Sequence, residues 1–131
     1  MIVVDASALL ELVLRTERGG RVADRALDAA QRLHAPHLVD VEVAQALRRL
    51  VLLEKIGASR AALALDDHLA LAVERHAHGA LMPRIWQLRE SLTAYAAAYV
   101  ALAEGLGAPL LTCDGRLARA AHGHRAVVEL C

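Results

Sequence analysis

Three carboxylates in this chain stand where catalysis or metal binding could use them. Asp5 closes the apolar run Ile2-Val3-Val4, Asp114 follows Leu110-Leu111-Thr112-Cys113, and Glu42 sits near the start of a long apolar-periodic segment. In an open parallel sheet ligands bind beyond the carboxyl ends of the strands, so two strand-terminal aspartates share one edge if their strands are neighbours. Each residue alone says little. A lone aspartate after a strand is weak evidence, and a glutamate in a first helical turn is favoured by the macrodipole without any further role. Together, three carboxylates repel one another unless a cation sits among them, and hard oxygen ligands suit Mg²⁺ or Mn²⁺.

The other reactive side chains point to less. His34, His37, His68, His76, His78, His122 and His124 include two alternate-spaced pairs, but no Cys or His cluster joins them, so surface or loop positions are expected. Cys113 and Cys131 lack metal-ligand spacing and are expected as one buried and one C-terminal free thiol. Trp86, Tyr95 and Tyr99 are too few for a base-stacking platform, so packing roles are expected. Phosphotransfer at Asp5 is disfavoured: the second Asp that haloacid-dehalogenase-like enzymes need is Ser7 here. A receiver-type site wants a late Lys, and the only Lys is Lys55.

The elements that would position the three acids alternate in type. Residues 1–4 read as a buried strand, 8–14 as a helix, and 21–32 as a second helix after a Gly19-Gly20 break, with Val22, Ala26, Ala29 and Ala30 at helical spacing. Residues 33–35 read as a strand. A long helix over 39–56 follows, with Glu42 in its first turn and Gly57 as its stop. A helix over 59–68 capped by Ser59, a strand over 69–73 and a helix over 80–90 come next. Thr93 is a good N-cap for a helix ending near Gly105 to Gly107. Residues 109–113, 116–121 and 126–130 complete the chain as strand, helix and strand. Such alternation implies a three-layer, doubly wound α/β/α domain around a parallel sheet of about five strands.

Composition agrees with this reading. The chain has 131 residues, 56% hydrophobic and only 2% aromatic, and Ala and Leu together fill 52 positions (28 and 24). That length corresponds to one domain over 1–131, and its core of strong helix formers excludes a disordered chain. The longest uncharged apolar stretch, 91–103, falls short of the roughly 20 residues of a membrane span, and residues 1–5 lack the form of a signal peptide, so a cytoplasmic protein without a membrane partner is expected. Fifteen basic residues balance 15 acidic ones. The balance removes the simplest argument for nucleic-acid binding without removing nucleic acid as a substrate. All the basic residues except Lys55 are Arg, which favours bidentate contact with phosphate or carboxylate.

Four segments carry a specific resemblance. Val3-Val4-Asp5-Ala6-Ser7-Ala8-Leu9, the stretch 36–42 leading into a helix, residues 92–104, and Leu110-Leu111-Thr112-Cys113-Asp114-Gly115-Arg116-Leu117 resemble, in order, the motifs of the PIN-domain family, in its VapC toxin branch. The resemblance spans essentially the whole chain. It implies five parallel strands flanked by helices and a Mg²⁺- or Mn²⁺-dependent endoribonuclease, the toxin half of a toxin–antitoxin pair. It further implies Asp5, Glu42 and Asp114 as catalytic and metal-holding residues, with Ser7 and Thr112 supporting them by hydrogen bonds. The implied partners are RNA, a VapB-type antitoxin and a second copy in a homodimer, with DNA reached only through the antitoxin.

One position departs from the pattern. The branch usually reads Tyr-Asp-Ala where this chain has Tyr95-Ala96-Ala97, and that Asp is a principal metal ligand. With Thr93 as N-cap, Ala96 is the third helical residue, where a carboxylate would complete a capping interaction and sit well on the helix dipole. The resemblance therefore implies an impaired or inactivated enzyme. A single clean replacement beside three retained acids has the form of an engineered inactivation rather than natural decay. The alternative function is a catalytically dead module that binds antitoxin and regulates its operon, the apolar helices near the N-terminus and around 43–53 offering a surface for an antitoxin helix.

Overall fold

The computed structural model describes residues 1–28 and 30–131. Five short strands, β1 (Ile2–Val4), β2 (Leu33–Pro36), β3 (Val73–His76), β4 (Leu110–Thr112) and β5 (Val128–Leu130), form a sheet in the order β3-β2-β1-β4-β5. Every pairing is parallel. Seven α-helices among the described residues connect them: α1 (Ala6–Val13), α2 (Glu17–Ala26), α3 (Leu38–Leu52), α4 (Ala58–Ala70), α5 (Met82–Gln87), α6 (Ala94–Leu106) and α7 (Gly115–Ala121), with a 3₁₀ turn at Gly79–Leu81 before α5. The expected α/β architecture with about five parallel strands is present. The strand order reverses between β1 and β4, and a crevice opens beyond the carboxyl ends of strands at such a switch point.

The core follows from the composition. β1, β2 and β4 are buried at every position, as strands covered on both faces must be. Helix α6 is buried continuously from Ala97 to Ala103 and packs on β1, β2 and β4. Its lack of a polar face is that of a core helix. No helix among the described residues is long and apolar enough to cross a membrane.

Several elements depart from the sequence expectation for identifiable reasons. Gly19 and Gly20 do not break the chain; they lie in the first turns of α2, which starts at Glu17 under a Thr16 cap (Gly19 N–H to Thr16 Oγ1, 3.0 Å). A Cβ on Gly19 would stand 2.1 Å from the Glu11 carbonyl oxygen, so glycine is there to let α2 cross the backbone of α1. The helix ends at Ala26 rather than 32, and Ala29 lies outside the described residues. Helix α3 stops at Leu52, five residues before Gly57, because the left-handed turn falls on Glu54 (φ 55°). Gly57, not Ser59, precedes α4, which then runs through residues 69 and 70 expected in a strand. The edge strand β3 begins only at Val73.

Two expectations about single residue types are overturned. The cysteines are not free thiols: Cys113 and Cys131 form a disulfide with a Cα–Cα distance of 4.9 Å. The cause is register, since Thr112 pairs with Leu130 and the next residue on each strand is the cysteine. Nor are the histidines all at the surface, because His34 and His68 are buried. His68 of α4 contacts Asp40 of α3 at 2.7 Å, and Arg75 of β3 donates to the same carboxylate at 2.8 and 3.0 Å. Burial opposes the ionisation of Asp40, but the bonds from Arg75 and His68 outweigh it and hold its carboxyl below the usual range.

The two adjacent glycines of α2 give a matched test. Gly19→Ala is expected to destabilise the fold by at least about 2 kcal/mol through overpacking against α1. Gly20→Ala, whose Cβ meets nothing within 4 Å, is expected to be neutral or stabilising by up to ~1 kcal/mol. Urea unfolding of the two variants measures both; equal effects would contradict the close-crossing account.

Candidate active site

The crevice at the switch point is built around Asp5. In-register pairing of Val3 with Leu110 and Val4 with Leu111 sets Asp5 beside Thr112, and the Asp5 N–H donates to the Leu111 carbonyl at 3.2 Å. Asp5 also caps α1, its Oδ1 accepting the Ala8 N–H at 2.9 Å. The carboxylate is only 4% exposed, and it meets three donors. Ser7 Oγ donates to Oδ1 at 2.7 Å and Thr112 Oγ1 donates to Oδ2 at 2.5 Å.

Backbone donors orient both hydroxyls. The Cys113 N–H donates to Ser7 Oγ at 2.8 Å and the Asp114 N–H donates to Thr112 Oγ1 at 2.9 Å. Each hydroxyl thus receives a proton from the chain after β4 and passes its own to Asp5, leaving the 3.3 Å Ser7–Thr112 contact with no proton to share. Burial pushes the Asp5 carboxyl up from its ordinary value, these three hydrogen bonds pull it down without prevailing, and the neighbouring charge of Asp114 adds a further push.

Asp114 and Glu42 reach the same space from other elements. Asp114 is exposed and caps α7, its Oδ1 accepting the Arg116 N–H at 2.8 Å and that of Leu117 at 3.4 Å. Glu42 is half-buried and lies one turn inside α3, so the first-turn acid of that helix is Asp40 and the macrodipole reading does not apply to Glu42. Its Oε2 accepts the Tyr99 hydroxyl at 2.5 Å. Burial raises the Glu42 carboxyl, the Tyr99 bond lowers it, and the charge of Asp5 raises it again.

Asp5, Ser7, Glu42, Tyr99 and Asp114 face one cavity of 630 Å³, with Thr112 buried behind them. Thr93 and Ala96 line it as well. Thr93 caps α6 as expected, its Oγ1 accepting the Ala96 N–H at 3.1 Å, which makes Ala96 the third helical residue, on the wall of the same cavity as the acids. Among the described residues Asp5, Glu42 and Asp114 do not close into a tight cluster of three, and no acidic side chain stands at position 96 to join them.

Two lining residues escaped the sequence reading. Tyr99, expected only to pack, is 2% exposed and anchors Glu42; its own ionisation is strongly suppressed by burial and by Glu42. Arg49 is the one cationic side chain among the described residues lining the cavity. A signal for Arg49 existed: Glu42, Gln45, Ala46 and Arg49 recur at helical spacing and all line the cavity from α3.

A parallel α/β fold whose switch-point crevice is walled by strand-terminal and helix-borne carboxylates defines an acidic-site α/β domain. Residues 2–123 match the PIN domain family. The chain is 46% identical over 130 residues to Ribonuclease VapC12 of Mycobacterium tuberculosis, covering 99% of this chain and 98% of that protein. It is 49% identical over 117 residues to Ribonuclease VapC9 of the same species, covering 89% and 88%. The crystal structure of PAE2754 from Pyrobaculum aerophilum superposes with a TM-score of 0.73 at 26% identity, covering 97% of this chain and 82% of that one. The fold is also that of M. tuberculosis VapC20, a sarcin–ricin-loop-cleaving toxin, with a TM-score of 0.67 at 19% identity over 92% and 95% of the two chains. The chain belongs to the PIN-domain family, in its VapC ribonuclease branch.

The raised Asp5 carboxyl has a pH signature. A carboxyl whose pKa is higher folded than unfolded contributes stability that is full below the ordinary carboxylate range and is lost as pH rises through the folded value. In metal-free buffer the stability of the parent relative to Asp5→Asn is therefore expected to fall as pH rises above the ordinary carboxylate range, near pH 4. Urea unfolding on both sides of that range checks it, and a difference that is flat or rises with pH would show that burial does not dominate at Asp5.

Proposed function

We propose that residues 1–131 are one PIN domain acting as a VapC-type toxin, an endoribonuclease that hydrolyses RNA phosphodiesters with a divalent cation, Mg²⁺ or Mn²⁺. The observation that carries this reading is the buried Asp5 carboxylate, oriented by Ser7 and Thr112 and facing the same cavity as Glu42 and Asp114. The carboxylates there offer oxygen donors alone, which suits a hard cation and not a thiophilic one. Asp5, Asp114 and Glu42 would hold the ion.

When bound, such an ion supplies Lewis-acid polarisation of a phosphate oxygen and lowers the pKa of an attacking water. The remaining work belongs to the chain. Asp5 spends three acceptor positions on fixed donors, so its carboxylate cannot swing and keeps one direction toward the cavity. Glu42, held by Tyr99, would orient the nucleophile or accept its proton. Arg49 supplies a fork of donors for a backbone phosphate.

Ala96 leaves this site short of one carboxylate. Its absence lowers metal affinity and impairs cleavage by several orders of magnitude, roughly 4 kcal/mol or more of transition-state stabilisation at ~1.4 kcal/mol per tenfold. The retention of the other three acids supports an engineered replacement over natural decay. The protein acts in the cytoplasm as a homodimer with a VapB-type antitoxin and reaches DNA only through that antitoxin.

A second reading, a module that mainly binds antitoxin and regulates its operon, is favoured by one observation. An apolar groove of 270 Å³ runs between α3 and α4, walled by Leu47, Val51, Leu52, Ala61 and Leu65. Its form suits the apolar face of a partner helix.

Ala96→Asp separates the two. Cleavage of a fluorogenic RNA in Mg²⁺ is expected to rise at least about a thousandfold over the parent, which corresponds to ~4 kcal/mol. Arg49→Ala in that background is expected to raise KM. No gain of metal-dependent cleavage in Ala96→Asp, with antitoxin binding intact, would overturn the nuclease reading in favour of the module.

A further inference from the structure

A second group of ligating side chains lies away from the acidic cavity. His34 on β2 pairs in register with Glu74 on β3, and His76 sits two residues further along the same strand, so all three project from one face of the sheet. Their nitrogen and oxygen atoms lie within 4.8 Å of one another. His34 Nδ1 is 3.0 Å from His76 Nε2 and 3.7 Å from Glu74 Oε2, and His76 Nε2 is 3.9 Å from Glu74 Oε1.

From these positions we propose that His34, Glu74 and His76 form a Zn²⁺ site that clips the edge strand β3 to β2. Four ligands at Zn–N and Zn–O distances of about 2.0–2.2 Å in a tetrahedron stand roughly 3.3–3.6 Å apart, close to the three spacings here. The donor set, two imidazoles and one carboxylate, is a borderline one that suits Zn²⁺ and discriminates against Mg²⁺. A groove of 490 Å³ opens over the three residues, with Met1, Ala30, Arg32 and Leu106 forming the rest of its wall, leaving room for a water as fourth ligand.

Burial and charge prepare the ligands. The His34 side chain is 4% exposed and its Nδ1 is aimed into the group. Burial, opposed by the charge of Glu74, lowers the pKa of His34, which favours the unprotonated ring. Glu74 and His76 are 60% and 25% exposed, so an ion can enter from solvent. Asp5 and Asp114 follow β1 and β4, whereas His34, Glu74 and His76 lie on β2 and β3, and no residue lines both cavities.

Zn²⁺ titration of the chain without a histidine tag, by calorimetry, with Co²⁺ absorption as a second readout, tests the site. One Zn²⁺ per chain, a tetrahedral Co²⁺ spectrum and a Zn²⁺-dependent rise in melting temperature are expected. His76→Gln and Glu74→Gln, both at accessible positions, are each expected to weaken binding at least roughly tenfold. Asp5→Asn is expected to leave it unchanged. The proposal is overturned if the parent shows no stoichiometric binding, in which case the contact is a plain His–His hydrogen bond. Binding undiminished in His76→Gln, or lost only in Asp5→Asn, overturns it as well by placing the ion elsewhere.

Discussion

The pairing of β1 with β4 places a carboxylate at the buried end of a strand, and the rest of the site is arranged around that fact. Leaving Asp5 charged at 4% exposure is costly unless it is hydrogen-bonded. The chain meets this with three donors from two places: the Ser7 hydroxyl and Ala8 N–H in the first turn of α1, and Thr112 on the neighbouring strand. The two hydroxyls are in turn polarised by the N–H groups of Cys113 and Asp114. One network therefore ties the start of α1 to the chain after β4, and the turn that brings Asp114 into the crevice is the turn that orients the donors to Asp5. Even so, burial and Asp114 keep the Asp5 carboxyl above its ordinary value, which is the electrostatic state of a site that gains from a cation.

The second acidic residue is supported in the same manner and by a different element. Tyr99 donates to Glu42 from α6, the most deeply buried helix, so α3 and α6 are linked across the cavity. Ala96 is three residues before Tyr99 on α6 and one helical turn away. A carboxylate at 96 would enter the cavity from the same wall, with the Thr93 cap and the helix N-terminus behind it. The alanine leaves the scaffold for that carboxylate intact while removing its charge.

Much of this was legible along the chain because it is local. The strand-terminal positions of Asp5 and Asp114, the Thr93 cap and the placement of Ala96 depend on a few consecutive residues. The four PIN-like motifs added Ser7 and Thr112. What escaped depends on register between distant segments. Tyr99 meets Glu42 across 57 residues, and Cys113 meets Cys131 only because β4 and β5 pair with Thr112 opposite Leu130. His34 and Glu74 are brought together by a strand expected several residues earlier. Gly19 misled for a related reason, since its role is set by the carbonyl of Glu11 on another helix and not by its own turn.

We propose that the acidic crevice is a preorganised cation site lacking one carboxylate at position 96. Mn²⁺ titration followed by electron paramagnetic resonance, on the chain and on Ala96→Asp, tests it without reference to substrate. A stoichiometric site in Ala96→Asp that binds at least about tenfold more tightly than in the parent, and that is abolished by adding Asp5→Asn, is the predicted result. Equal Mn²⁺ affinity in the parent and Ala96→Asp, or binding indifferent to Asp5→Asn, would contradict it.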